Sequence, residues 1–123
     1  MATLCPTESQ EQQALFRWAA YNRGRHPELR LMYHIPNEGK RPTSTGARMR
    51  SEGLRKGVPD ICLPVPRGLY HGLYIEMKRV KDSRVSSEQK QWLRDLTDQG
   101  YMAVICNGFE AARGVIENYL EVR

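Results

Sequence analysis

The chain has 123 residues and a mass of 14.2 kDa, with 40% hydrophobic and 27% charged residues. That balance suits one soluble globular domain spanning 1–123 and excludes disordered, fibrous and membrane-spanning classes. Its charge of +5 leans toward polyanionic partners, and nothing in its patterning suggests a second folded unit. No apolar run reaches the roughly 20 residues of a membrane-crossing helix, and MATLCPTESQ lacks the basic and apolar regions of a secretory leader, so a cytoplasmic location is expected. Cys5, Cys62 and Cys106 are widely spaced and form no CxxC pair, so neither a disulfide framework nor a zinc site is indicated. Cys62 and Cys106 read as small core hydrophobes in strands.

The elements follow in chain order. Residues 7–23 predict a helix capped by Thr7, with Ala14, Leu15, Trp18 and Tyr21 on one apolar face and Pro27 closing the turn beyond it. LRLMYHIP alternates and is rich in strand formers, which predicts a strand over about 29–35 that ends at Pro36. A basic polar stretch carries a second helix near 44–54, started by Thr43 or Ser44 and stopped at Gly53 or Gly57. PDICLPVP and GLYHGLYIEMKRV then read as a hairpin of buried strands joined across Pro66, Arg67 and Gly68.

Ser86 caps the next helix, which has Glu88 and Gln89 in its first turn, Trp92, Leu93 and Leu96 on its apolar face, and Gly100 as its stop. YMAVIC reads as a buried strand, and FEAARGVIENYL as a closing amphipathic helix with Phe109, Val115, Ile116, Tyr119 and Leu120 inward. The order α-β-α-β-β-α-β-α predicts an α/β fold, a central mixed sheet flanked by helices. Trp18 and Trp92, on apolar faces, are expected in the core rather than as stacking platforms.

Asp60 opens the first strand of the predicted hairpin and Glu76 lies near the end of the second, so antiparallel pairing sets the two carboxylates side by side. Lys78 is two residues beyond Glu76 and projects from the same face of its strand, while Met77 points the other way into the core. Two carboxylates at such a distance repel each other and resist desolvation, a conflict that a hard divalent cation resolves. Mg²⁺ takes one or two carboxylates plus waters and phosphate oxygens, and the Met77 carbonyl can add an oxygen. A water on such an ion becomes more acidic, with Lys78 placed to orient it or to stabilise developing negative charge, an arrangement suited to phosphodiester hydrolysis.

Arg23, Arg25, Arg30, Lys40, Arg41, Arg48, Arg50, Arg55 and Lys56 face only Glu28, Glu38 and Glu52 in the stretch they span, and Lys78, Arg79, Lys81 and Arg84 form a second basic cluster. Such local excess favours phosphate backbones, because each neutralised phosphate releases condensed counterions. Asn37, Lys40 and Arg41 are candidate phosphate contacts, with Gly39 allowing close backbone approach, and Arg48, Lys56 and Arg79 are further DNA-binding candidates. His26, His34 and His71 have no metal-ligand spacing; His34 ends a strand near the expected site, yet a structural role is favoured for it.

Pro59-Asp60 followed by Glu76-Met77-Lys78 resembles the PD-(D/E)XK nuclease signature. Together with ESQEQ, IPNEGKR, GVPDICLPVPRG, GLYIEMKR, SSEQKQWL and QGYMAVICNGFEAA, it makes nearly the entire chain resemble a stand-alone VRR-NUC domain of the bacteriophage or prophage type. The short signature is weak alone; the ordered set of segments is what makes the resemblance specific. It implies a restriction-endonuclease-like core, Mg²⁺ or Mn²⁺ dependence, cutting of branched DNA such as Holliday junctions or flaps, and a homodimer. It also implies that Asp60 and Glu76 are metal ligands, that Lys78 is the catalytic lysine, and that Gln89 faces the site. An acid of the first helix completes the implied set, with Glu11 preferred on its i, i+4, i+7 relation to Leu15 and Trp18, and Glu8 as the alternative one turn earlier. A nonspecific or nicking nuclease of the same fold and a catalytically silent DNA-binding protein are the competing expectations.

Overall fold

A computed structural model describes residues 4–37 and 43–123. The first helix, α1 (Glu8–Tyr21), begins at Thr7 in a reciprocal capping box: the Thr7 hydroxyl accepts from the Gln10 N–H at 3.1 Å, and the Gln10 side chain accepts from the Thr7 N–H at 2.9 Å. Leu15 and Ala19 are its buried residues.

The strand predicted over 29–35 is mostly absent. Pro27–Leu31 forms a 3₁₀ turn, and only Tyr33–His34 extends as β1. Pro27 presets a helical φ, and burial supplies the rest of the explanation: Leu29 and Met32 point inward while Leu31 and Tyr33 are exposed. Inward residues three apart suit a 3₁₀ turn, not the period-two alternation of a strand.

α2 spans Thr43–Ser51, shorter than the predicted 44–54 helix at its C-terminal end. Gly53, with φ +111°, donates to the Arg50 carbonyl and Leu54 to that of Met49, so a Schellman closure ends the helix.

β2 (Ile61–Leu63) and β3 (Leu73–Lys78) pair antiparallel, with Ile61 opposite Ile75 and Leu63 opposite Leu73. α3 (Ser87–Asp98) then crosses over to β4 (Met102–Asn107), which lies parallel to β3, and α4 (Phe109–Glu121) follows. The result is a four-stranded mixed sheet in the order β1-β2-β3-β4, as the alternation of elements predicts.

Leu15, Ile61, Leu63, Leu73, Ile75 and Met77 meet Ala112, Ile116 and Tyr119 in one core. The Tyr119 hydroxyl donates to the Val65 carbonyl at 2.6 Å, so the connection leaving β2 is fastened beneath α4. Arg67 extends that fastening, pairing with Glu28 and donating to the Leu120 carbonyl at 3.3 Å. Cys62 and Cys106 are buried thiols on β2 and β4, as read from the sequence.

YMAVIC is the exception. β4 is an edge strand in which only Cys106 is buried, because a short apolar run carries no mark of whether a further strand follows it. Trp18 packs against the core; Trp92 is half-buried and donates its indole N–H to the Lys56 carbonyl at 3.0 Å. Among the described residues no helix is long and apolar enough to cross a membrane.

Candidate active site

Asp60 ends the segment Gly57-Val58-Pro59 one step before β2, and extending the β2–β3 register places it opposite Glu76. Its Oδ2 accepts from the Met77 N–H at 2.8 Å, so the carboxylate is held against β3 rather than turned to solvent. The Asp60 carbonyl accepts from Ile35 N–H at 2.6 Å and lies 2.9 Å from His34 Nδ1, which fixes the same residue from the β1 side. Asp60 is thereby held from both of its sheet neighbours, its carbonyl from β1 and its carboxylate from β3.

On β3, Leu73, Ile75 and Met77 alternate with Tyr74, Glu76 and Lys78, and both faces are covered at the strand's end: Glu76 is 2% exposed and Lys78 6%. Glu76 Oε2 accepts from Gln89 Nε2 at 3.2 Å and lies 3.8 Å from Lys78 Nζ. Lys78 Nζ in turn lies 3.9 Å from Glu8 Oε1.

Burial, first, and then the adjacent Asp60 carboxyl push the Glu76 carboxyl up to about 9, with Lys78 only partly opposing them. Among the described residues, no group donates a hydrogen bond to the buried Glu76 Oε1. A buried acceptor without a donor is costly, and a cation between the two acids removes that cost. Among the described residues no cluster of three or more Asp, Glu, His or Cys is assembled for a metal. Two carboxylates with an unpartnered oxygen fit a hard ion that keeps most of its waters, rather than a fully protein-caged one.

Gln89 uses both ends of its amide. Its Oε1 accepts from the Ser86 N–H at 2.9 Å as the α3 capping box, while its Nε2 reaches Glu76. The loop before Asp60 makes this possible. Gly57 has φ +89°, and a Cβ there would lie 2.8 Å from the Glu88 backbone and 3.0 Å from Gln89 N. Gly57→Ala is therefore expected to lower stability by about 1–3 kcal/mol in chemical denaturation.

The two acids of α1 part company. Glu11, preferred from the sequence, accepts from the Phe109 N–H at 3.2 Å through its Oε1 and so caps the N-terminus of α4. Glu8 is the acid that α1 brings to Lys78. Glu11→Ala should cost about 0.5–2 kcal/mol as a lost cap, whereas the half-exposed Glu8 in Glu8→Gln should change stability by less than about 1 kcal/mol. Thermal melts of the two variants test this contrast.

Beside Asp60 lies a cavity of about 280 Å³ whose wall includes Glu8, His34, Asn37 and Met77. His34, which ends the predicted strand near the expected site, lies against the Asp60 carbonyl. Arg48 and Lys56 are exposed, 3.3 Å from Glu52 and 3.5 Å from Glu88 respectively, and Arg79 donates to the Cys5 carbonyl at 3.4 Å. Lys40 and Arg41 lie outside the described residues.

This arrangement can hold a divalent cation beside a buried lysine at the rim of a sheet. Among curated proteins none matches the chain. A solved structure described as a "VRR_NUC domain protein" is similar over 96% of this chain and 91% of its own, at 28% identity and a TM-score of 0.83. The family model for the VRR-NUC domain matches residues 6–110. That span contains Asp60, Glu76, Lys78 and Gln89 together with every strand of the sheet, and the chain belongs to the VRR-NUC domain family.

Proposed function

We propose that this nuclease-family chain is a metal-dependent DNA endonuclease of the PD-(D/E)XK kind, acting on branched DNA such as Holliday junctions or flaps. The observation that carries the reading is the buried Asp60–Glu76 pair, with a Glu76 oxygen that receives no hydrogen bond among the described residues and Lys78 Nζ 3.8 Å from its other oxygen. Asp60 and Glu76 would hold Mg²⁺ or Mn²⁺, with the Met77 carbonyl as a further oxygen. When bound, the ion supplies a Lewis acid that acidifies water and neutralises phosphate charge.

The chain's own groups account for the remaining work. Gln89 keeps the Glu76 carboxylate oriented through its amide. Lys78, held by Glu8, is placed to donate to the attacking water or to a phosphate oxygen as negative charge builds there. Water oxygen bonds to phosphorus as the bond to the departing nucleotide oxygen breaks, and the proton that the water gives up is balanced by the one that the departing oxygen takes from solvent. Burial of Lys78 keeps its charge concentrated on this reaction rather than spread into solvent.

The net charge of +5 supports a DNA substrate, with Asn37, Lys40, Arg41, Arg48, Lys56 and Arg79 as backbone contacts. Affinity should accordingly fall steeply between 50 and 200 mM salt. A homodimer would supply one site for each strand of a junction, and sedimentation showing only monomer while paired cuts persist would remove that part of the reading.

The discriminating experiment offers labelled four-way junction, flap, linear duplex and single-stranded DNA with Mg²⁺, Mn²⁺ or EDTA. Cutting restricted to the branched forms supports the proposal. Equal cutting of linear duplex would replace it with a nonspecific or nicking nuclease, and binding without cutting under any metal with a silent DNA-binding protein.

A further inference from the structure

β3 runs on from Lys78 into the loop Arg79-Val80-Lys81-Asp82-Ser83-Arg84, where Asp82 is the only acid among three cations. Lys81 and Arg84 are exposed, and among the described residues neither forms an ion pair. The exposed Arg48 and Lys56, by contrast, lie beside Glu52 and Glu88. Like charges gathered on one short segment repel one another, so an unrestrained loop would spread them apart.

This loop is restrained along its length. Asn107, the β4 partner of Lys78, donates through Nδ2 to the Arg79 carbonyl and to Ser83 Oγ, each at 3.1 Å. One amide nitrogen with its two hydrogens thus closes the loop on itself. The next residue repeats the tie, the Gly108 N–H donating to the Lys78 carbonyl at 2.8 Å. Val80 is seated on Gly108, where a Cβ would come within 2.8 Å of Val80 Cγ2. Asp82 turns the chain at φ +56°, a left-handed conformation that its short polar side chain tolerates.

Lys81 follows Lys78 by three residues, so their Cα atoms lie no more than about 11 Å apart. Phosphates of one strand repeat about every 3.4 Å of the duplex axis, so this loop spans those within about three nucleotides of a phosphate at Lys78. We propose that residues 79–84 form a clamp on the backbone phosphates flanking the cut, with Lys81 and Arg84 as its contacting groups and Asn107 as the positioning residue that holds it in register with Lys78. The inference rests on the endonuclease reading above and extends it from the scissile phosphate to its neighbours. Phosphate contacts fix register on the nucleic acid, so a clamp tied to β4 through Asn107 sets which phosphate Lys78 meets. Bound phosphates also offset the repulsion among the loop's own cations.

The test measures binding of a labelled four-way junction in EDTA from roughly 50 to 200 mM salt. Wild type is compared with Lys81→Gln/Arg84→Gln, and with Lys90→Gln/Arg94→Gln on the exposed side of α3 as a control of equal charge. The slope of log affinity against log salt should be shallower by about 1.8 for the loop pair and nearly unchanged for the α3 pair. Asn107→Ala is then made in wild type and in the loop variant. It should weaken binding several-fold in the first and leave the second unchanged, because a positioning residue acts only through the groups it positions.

Equal slopes for wild type and the loop variant, or an equal fall for the two pairs, overturns the clamp even if metal-dependent cutting is normal. A loss on Asn107→Ala of the same size in both backgrounds overturns the positioning role. A slope change confined to the loop pair, in a protein that never cuts under any metal, supports the grip on phosphate and removes the endonuclease reading instead. Failure to bind the junction at all overturns both.

Discussion

Lys78→Met is expected to lower the rate of junction cleavage by about 10²–10³-fold while changing junction affinity by less than about threefold. The magnitude is that of removing one preorganised donor aimed at developing charge in a water-poor site. Lys78 is suited to such an effect because it is 6% exposed and its Nζ lies between Glu76 at 3.8 Å and Glu8 at 3.9 Å. Methionine fills similar volume without charge, so the packing at the end of β3 survives. A surface lysine used only for DNA backbone contact would give the opposite pattern, with affinity lost and the rate of bound substrate retained. Single-turnover cleavage alongside anisotropy binding separates the two. Lys78→Arg should rescue little, since a planar fork cannot replace a compact ammonium between two carboxylates.

Glu76→Gln should abolish cleavage, by more than about a thousandfold, and yet make the metal-free protein more stable. The sign follows from proton linkage. Burial and Asp60 hold the Glu76 carboxyl at about 9, above its ordinary 4.5, so between those values the folded state keeps a proton that the unfolded state releases. The associated stability is fully present below about pH 4.5 and is lost as pH rises toward 9.

Glutamine copies the protonated acid and does not titrate. Its melting temperature should therefore exceed that of wild type by an amount that grows with pH. Near pH 8 the difference should be about 1–3 kcal/mol, or roughly 5 °C. Mg²⁺ should reverse the ranking by raising the wild-type melt while leaving Glu76→Gln unmoved. A variant whose melt follows wild type across pH 5 to 9 and in Mg²⁺ would show that the paired acids are not in conflict.

These expectations draw on the parts of the fold that were most legible in the sequence. Thr7 and Ser86 are followed three residues later by Gln10 and Gln89, and both become reciprocal capping boxes. The IEMK alternation placed Met77 in the core with Glu76 and Lys78 on the opposite face of β3, and antiparallel pairing brought Asp60 beside them. Period and pairing are local rules, and they carried the carboxylate pair correctly.

What local rules missed depended on tertiary partners. Glu8 and Glu11 are neighbouring acids in the first turn of α1, and only the arrival of α4's N-terminus at Glu11 decides which of them faces Lys78. LRLMYHIP fits alternation as well as a 3₁₀ turn until burial of Leu29 and Met32 separates them. His34 is legible as ending a strand near the site, but its 2.9 Å contact with the Asp60 carbonyl exists only once β1 is set beside the hairpin.

If Asp60 and Glu76 form a metal-dependent phosphodiester-cleaving centre, cleavage of a labelled four-way junction by wild type and Asp60→Asn, each in Mg²⁺ and in EDTA with binding followed in parallel, will show it. Wild type should cut in Mg²⁺ alone, and Asp60→Asn should bind the junction and leave it intact. Cutting that persists in Asp60→Asn or in EDTA would contradict it, because the chemistry would then lie outside the paired carboxylates.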